Sequence, residues 1–329
     1  MTSLTESDLQ QQLAKLGELR AAIGQAIVGQ QDVVEQLLIG LLAGGHCLLE
    51  GVPGLGKTLL VRSLGQALDL SFRRIQFTPD LMPSDILGTE ILEEDHGTGK
   101  RHFKFQPGPV FTHLLLADEL NRTPPKTQAA LLEAMQEHTV SYAGVTHRLP
   151  EPFFVLATQN PLEQAGTYPL PEAQLDRFLL HIRVDYPSEA EERAILEQTT
   201  GKASAKVPSV MAGDAVRGLQ ALVREVHVSA DMLDWINRLV RASRPQAGVG
   251  DIAQWVKWGA GPRAGQALVL SAKARALIHG RFAVTEDDIR ALAAPVLRHR
   301  LLLTFMAEAE GKSADDVVAL LLTAVPPPR

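Results

Sequence analysis

Eight residues constrain this chain more than any others. Gly51, Val52, Pro53, Gly54, Leu55, Gly56, Lys57 and Thr58 spell G-x-x-x-x-G-K-T. A short apolar run, His46 to Glu50, precedes them, and a helix-like segment from Leu59 to Leu68 follows. A glycine-rich turn between a buried strand and a helix lets successive backbone N–H groups wrap around phosphates, and the helix N-terminus behind it favours their negative charge. In such a cradle, extended here through Leu59, Lys57 reaches the β- and γ-phosphates and the Thr58 hydroxyl binds Mg2+. A glycine turn that merely joins strand to helix is the weaker reading, because strand and helix lie on the correct sides.

The apolar pattern around this motif sets the fold class. Five short runs, His46–Glu50, Phe72–Phe77, Leu114–Ala117, Phe153–Ala157 and Phe178–Val184, are separated by helical or loop segments. Strands buried on both faces read this way, so an α/β domain with a mainly parallel sheet flanked by helices is expected. Before it, Leu9, Leu13, Leu16, Leu19, Ile23 and Ile27 recur at steps of three and four, the stripe of an amphipathic helix. After Asp185 strand-like runs vanish and Ala, Leu, Arg and Glu dominate. Ser188 and Glu191 form a capping-box pair that starts a helix beyond Pro187. At roughly 150 residues per domain, 329 residues suggest two domains. The expected division is a helical prefix at 1–24, the α/β domain at 25–186 and an all-α lid at 187–329. Trp255 and Trp258, one helical turn apart, are expected to pack inside that lid.

Two more strand ends carry polar residues. Leu114–Ala117 runs into Asp118 and Glu119, a pair that a strand interior would reject. Beside a phosphate site, Asp118 would hold the Mg2+ shell and Glu119 would polarise an attacking water, because γ-phosphate hydrolysis needs positioning and charge neutralisation. Phe153–Gln159 ends in Asn160, whose amide could orient the same water, although Asn before Pro161 is also a standard turn pair. ATP with Mg2+ is therefore the expected substrate and cofactor.

Composition excludes several classes. With 32 Lys and Arg against 38 Asp and Glu, the formal charge is −6, so no global basic field draws nucleic acid or an anionic membrane. The single cysteine, Cys47, has no partner in the chain, and a reducing, cytoplasmic setting is the simplest reading. The acidic start is unlike a signal peptide, and Leu37–Gly45 falls short of the ~18 apolar residues of a membrane span.

The motifs together resemble an AAA+ ATPase: the glycine loop, Asp118-Glu119, Asn160 as a sensor 1 residue, and Leu175-Asp-Arg-Phe178. Phe105-Gln-Pro-Gly-Pro-Val-Phe111, Asp118-Glu-Leu-Asn-Arg122, Gln128–Glu137 and Leu170–Phe178 more narrowly resemble the MoxR family, within the helix-2-insert clade. The similarity runs from about Ile27 to about Ile289. The resemblance implies that Arg177 is an arginine finger acting in a neighbouring subunit, the alternative being a structural ion-pair partner, with Arg122 in reserve. It implies that Arg263, in Gly259-Ala-Gly-Pro-Arg263, is the sensor 2 arginine, although an exposed Arg there costs little. Ile27 and Val28 match an adenine-side segment, with core packing as the alternative. Ile91–Phe105 and Thr139–Leu149 resemble inserted hairpins that face a ring's pore or only pack neighbouring subunits. The family further implies a hexameric ring that remodels or activates partner proteins carrying a von Willebrand factor A domain, with membrane association only through such a partner. A magnesium chelatase ATPase subunit shares nearly all these motifs. A helicase of the minichromosome-maintenance type is disfavoured by the charge and by the roughly 26 residues before the core, which leave no room for a DNA-binding domain.

Overall fold

Each apolar run becomes a strand of one parallel sheet, in a computed structural model that describes residues 6–27, 29–52, 54–94, 101–160, 166–200 and 207–328. The first part of the chain runs α1 (Glu6–Ala26), α2 (Gln31–Leu42), β1 (Cys47–Gly51), α3 (Lys57–Ala67), β2 (Phe72–Gln76), α4 (Pro83–Leu87), β3 (Gly88–Glu94) and β4 (Arg101–Pro107). It continues with β5 (Leu114–Asp118), α5 (Pro125–Glu137), β6 (Thr139–Tyr142), β7 (Val145–Arg148), β8 (Phe154–Gln159), α6 (Glu172–Leu175) and β9 (Leu180–Val184). The second part is α7 (Glu189–Thr199), α8 (Gly213–Glu225), α9 (Ala230–Ala242), α10 (Ile252–Trp255), β10 (Val256–Trp258), α11 (Pro262–Ile278), α12 (Glu286–Leu297), β11 (Leu302–Leu303), α13 (Phe305–Ala309) and α14 (Ala314–Ala324).

The sheet order is β2-β5-β8-β1-β9, all parallel, which brings the C-terminal ends of β1, β5 and β8 side by side. Alternation sorts the side chains. Cys47, Leu49, Leu116 and Leu156 face one core shared with α2, α3 and the lid helices, while Leu48, Leu115, Val155 and Ala157 face a second core with α4 and α5. β2 departs from the expected both-face burial: Ile75 is buried, but Arg73, Arg74 and Gln76 are exposed. It is an edge strand, and its polar residues lie beside the ends of the acid-bearing strand.

The helical prefix is one helix through Ala26, two residues past the expected boundary, with Leu16, Leu19, Ile23 and then Ile27 buried in the first core. The lid is helical, as expected, and α7 begins with the Ser188–Glu191 capping box, in which the Ser188 side chain accepts from the Glu191 N–H. Two features of the lid differ from the sequence reading. β10 pairs antiparallel with β11. That ladder places Trp258 on a strand and leaves it 73% exposed, so it is not packed with Trp255 on one helical face. Trp255 ends α10 and donates its indole N–H to Glu310 at 3.1 Å.

Both inserted hairpins form, although residues 95–100 of the first lie outside the described residues. Glycine is required at 88 and 108, because a Cβ on Gly88 would collide with the Gln106 carbonyl and one on Gly108 with the Ile86 carbonyl. Phe105 of β4 stacks on His147 of β7 with 4.2 Å between ring centroids, which joins the two hairpins.

His46 sits at the base of the sheet, where the Val155 N–H donates to Nδ1 at 3.1 Å and Nε2–H donates to the Met135 carbonyl at 2.9 Å. Burial pushes its pKa down from 6.5 to about 4. Between those values the unfolded chain binds a proton that the folded chain refuses. Stability should therefore fall as pH drops from 6.5 to 4, by about 3 kcal/mol in total from this group. Denaturant unfolding at pH 7.5 and 4.5 checks this: His46→Gln, which keeps a donor and an acceptor, should show a shallower acid loss than wild type. Equal losses would assign the acid sensitivity to other groups.

Candidate functional site

The glycine loop leaves β1 and enters α3 with Gly54 at φ 90° and Gly56 at φ 73°, a left-handed backbone that glycine adopts without strain. No heavy atom lies within 4 Å of where a Cβ would sit on either residue, so the loop is an open concavity. α3 begins at Lys57 with no side chain capping its N-terminus. Its first N–H groups are thus available to an anion, and the helix dipole favours one there. The Lys57 ammonium donates to the Gly51 carbonyl. Burial lowers its pKa, and Asp118, Glu119 and Glu50 oppose that shift.

A cavity of about 270 Å3 opens at the C-terminal ends of the strands. Gly54, Gly56, Lys57 and Thr58 line it from the loop and α3, Asp118 and Glu119 from β5, and Thr158, Gln159 and Asn160 from β8. The structure therefore brings together Lys57, Thr58, Asp118, Glu119 and Asn160, as the sequence predicts. Val52 is half-buried beside the loop, Leu55 packs against the first core, and Leu59 is exposed on α3. Ile27 is buried in the first core, the packing alternative of its sequence reading. Pro53 and Val28 lie outside the described residues.

The acids are held by partners that the motifs do not name. Asp118 Oδ1 accepts from the Thr158 hydroxyl at 2.6 Å, and Oδ2 accepts from Arg74 Nε at 3.0 Å and Nη2 at 2.6 Å. Glu119 has φ 57°, an uncommon conformation for a residue with a side chain, and costs of order 1–3 kcal/mol arise at such positions. Its N–H donates to Thr158 Oγ1 at 2.9 Å, which fixes the turn. Its Oε2 accepts from Gln76 Nε2 at 2.6 Å and from Arg122 Nη1 at 3.0 Å. Arg74 and Gln76 line the same cavity from β2. Their signal was the polar run Arg73, Arg74 and Gln76 within a strand otherwise read as apolar, with Arg74 and Gln76, i and i+2, sharing one face.

The donor set fits a nucleotide with Mg2+. An uncapped helix start and open glycine backbone suit phosphates, and a hydroxyl with a carboxylate offers the hard oxygens that Mg2+ prefers.

Arg177 and Arg263 lie elsewhere. Neither lines the phosphate cavity, and both line a second cavity of about 250 Å3 with His46 and Asp176. Arg177 Nη1 donates to the Leu132 carbonyl at 3.0 Å. Arg263, at the start of α11, has its Nη1 3.8 Å from Asp176 Oδ2 and a side chain that is 57% exposed. Asp176 is anchored by Arg300, whose Nε donates to Oδ1 at 2.8 Å and whose Nη2 donates to the Phe178 carbonyl at 2.7 Å. Arg300 is a lid residue absent from the sequence reading, and it ties the arginine-bearing segment to the lid. Arg122, the reserve intersubunit candidate, pairs with Glu119 of its own chain.

The sequence model of the ATPase family associated with various cellular activities (AAA) matches residues 46–180, and that of the AAA lid domain matches residues 251–320. The chain is 45% identical over 309 residues to the chaperone MoxR1 of Mycobacterium tuberculosis, covering 93% of this chain and 81% of that protein. It is 33% identical to the protein MoxR of Paracoccus denitrificans, covering 91% of this chain and 92% of that one. A crystal structure from Cytophaga hutchinsonii, described as that of a candidate ATPase, superposes with a TM-score of 0.92 at 41% identity and covers 98% of both chains.

Proposed function

The chain belongs to the MoxR family of AAA ATPases, and from that premise we propose that it hydrolyses ATP with Mg2+ to drive chaperone-like remodelling of a partner protein. The observation that carries the hydrolytic reading is the convergence of Lys57 and Thr58 with Asp118 and Glu119 on one cavity. In this reading the backbone of residues 51–59 and the N-terminus of α3 bind the phosphates, and Lys57 adds a point charge at the β- and γ-positions. Thr58 and Asp118 would hold Mg2+, which would supply charge neutralisation at the phosphates. Glu119 takes the proton of the attacking water while Asn160 orients that water.

Arg177 and Arg263 act together in a neighbouring subunit's site. What supports this is their shared cavity, apart from the phosphate cavity of their own chain. An arginine that stabilises transition-state charge must reach the phosphates, so a second copy has to present its own. The working assembly is thus a ring, hexameric by family resemblance, with residues 25–186 as the ATPase domain and 187–329 as the lid. Its partner is a protein with a von Willebrand factor A domain. Among the described residues no helix is long and apolar enough to cross a membrane, and membrane contact is assigned to that partner. The buried Cys47 thiol, its pKa raised by desolvation, asks for no oxidising compartment, and we place the protein in the cytoplasm.

The Glu119→Gln variant, used as a trap, tests the remodelling role. Captured from its own cells with ATP and identified by mass spectrometry, the retained protein should contain a von Willebrand factor A domain and should dissociate when ATP is exchanged for ADP. Retention of proteins without such a domain, or retention indifferent to nucleotide, would count against this partner.

A further inference from the structure

We propose that Arg74 and Mg2+ compete for one oxygen of Asp118, so that Arg74 sets the metal concentration at which the nucleotide site loads. The inference rests on the ATP-binding reading above and deepens it with a regulation of the same site. Asp118 has two carboxylate oxygens, and Thr158 donates its hydroxyl to Oδ1 at 2.6 Å. The other, Oδ2, is the one that the Arg74 guanidinium grips through both Nε and Nη2. A metal bridging Thr58 and Asp118, directly or through one of the waters that Mg2+ retains, meets the guanidinium wherever it draws on Oδ2, whose acceptor sites Nε and Nη2 already occupy. It also brings two positive charges against a guanidinium already seated there.

The surrounding residues make this a contest between cations. Lys57 directs its ammonium to the Gly51 carbonyl, and the cation on Asp118 is Arg74. The Asp118 side chain is 15% exposed and held by Thr158, whereas that of Arg74 is 47% exposed on an edge strand. The arginine is therefore the partner able to move. Its Nη2 also donates to Gln76 Oε1 at 2.7 Å, and Gln76 in turn donates to Glu119. Displacement of Arg74 from Asp118 accordingly reaches the second acid through one side chain.

A purely positioning role makes the opposite prediction: if Arg74 only holds Asp118 ready for the metal, its removal should raise the metal requirement. ADP is the probe, because it binds without turnover. Calorimetric titrations of ADP across a MgCl2 series give the Mg2+ concentration that half-saturates the metal-dependent gain in affinity. For Arg74→Gln this concentration should fall about three- to ten-fold, the span expected when a partly exposed ion pair no longer competes. Arg74→Lys, which keeps a point charge but loses the two-pronged grip, should fall less. An unchanged or higher half-saturating concentration in Arg74→Gln overturns the proposal while the nucleotide reading stands. Absence of ADP binding in wild type at any Mg2+ concentration removes that reading, and this proposal with it. If Arg74→Gln shows no cooperative thermal melt, Arg74→Lys carries the test alone, and wild-type metal dependence in it overturns the proposal.

Discussion

Glu119→Gln is expected to lower steady-state ATP hydrolysis by about 10²- to 10⁴-fold, the range that a positioned general base contributes, with ATP affinity little changed. Glutamine keeps the size of the side chain and loses its charge. In the structure Glu119 acts on Lys57 through its charge, and its side-chain hydrogen bonds run to residues outside the loop. Its carboxylate is held by Gln76 and Arg122 and its backbone by Thr158, so the substitution leaves the phosphate cradle intact. The amide can still accept from Gln76 or Arg122, and the turn at φ 57° is fixed by the backbone contact. Phosphate-release kinetics with equilibrium binding of a fluorescent ATP analogue measures both quantities. Lys57→Ala is the contrast, since removing the point charge should weaken binding itself. Turnover within tenfold of wild type in Glu119→Gln would move the base to another residue.

What could be read before folding follows from how local each feature is. The glycine loop, the strand-end acids and the Ser188–Glu191 cap are each contained within a few residues, so their physics is written in consecutive letters. The partners of the acids are not. Arg74 and Gln76 precede Asp118 and Glu119 by more than forty positions, and only the parallel register of β2 on β5, with Gln76 opposite Asp118, brings them together. Arg300 and Asp176 are 124 residues apart. The same limit explains Trp258. A spacing of three suggests one helical face, but the chain leaves α10 at Trp255, and β10 finds its partner strand more than forty residues later. The α/β class and the candidate cavity were thus legible, and the network that holds its acids was not.

Arg177 gives the sharpest test of the assembly. Arg177→Ala should cut turnover by as much as ~10³- to 10⁵-fold, the effect seen where an arginine finger supplies transition-state charge, while ATP binding persists. Its guanidinium donates to the Leu132 carbonyl, an acceptor on α5 that water can satisfy once the arginine is gone. A large loss of turnover with an unchanged melting temperature therefore points to chemistry and away from folding. Action between subunits then requires complementation. When Arg177→Ala and Glu119→Gln subunits share a ring, some sites pair an intact Glu119 with an intact Arg177 from the next subunit. Those composite sites should restore part of the activity that neither variant has alone, rising and then falling as the mixing ratio is varied. If size-matched mixed rings form and stay inactive at every ratio, either Arg177 serves its own chain or hydrolysis demands concerted firing of all sites. A tethered dimer with one defined composite site separates these. Activity there keeps the finger in trans and makes the ring concerted. Silence returns Arg177 to service within its own chain.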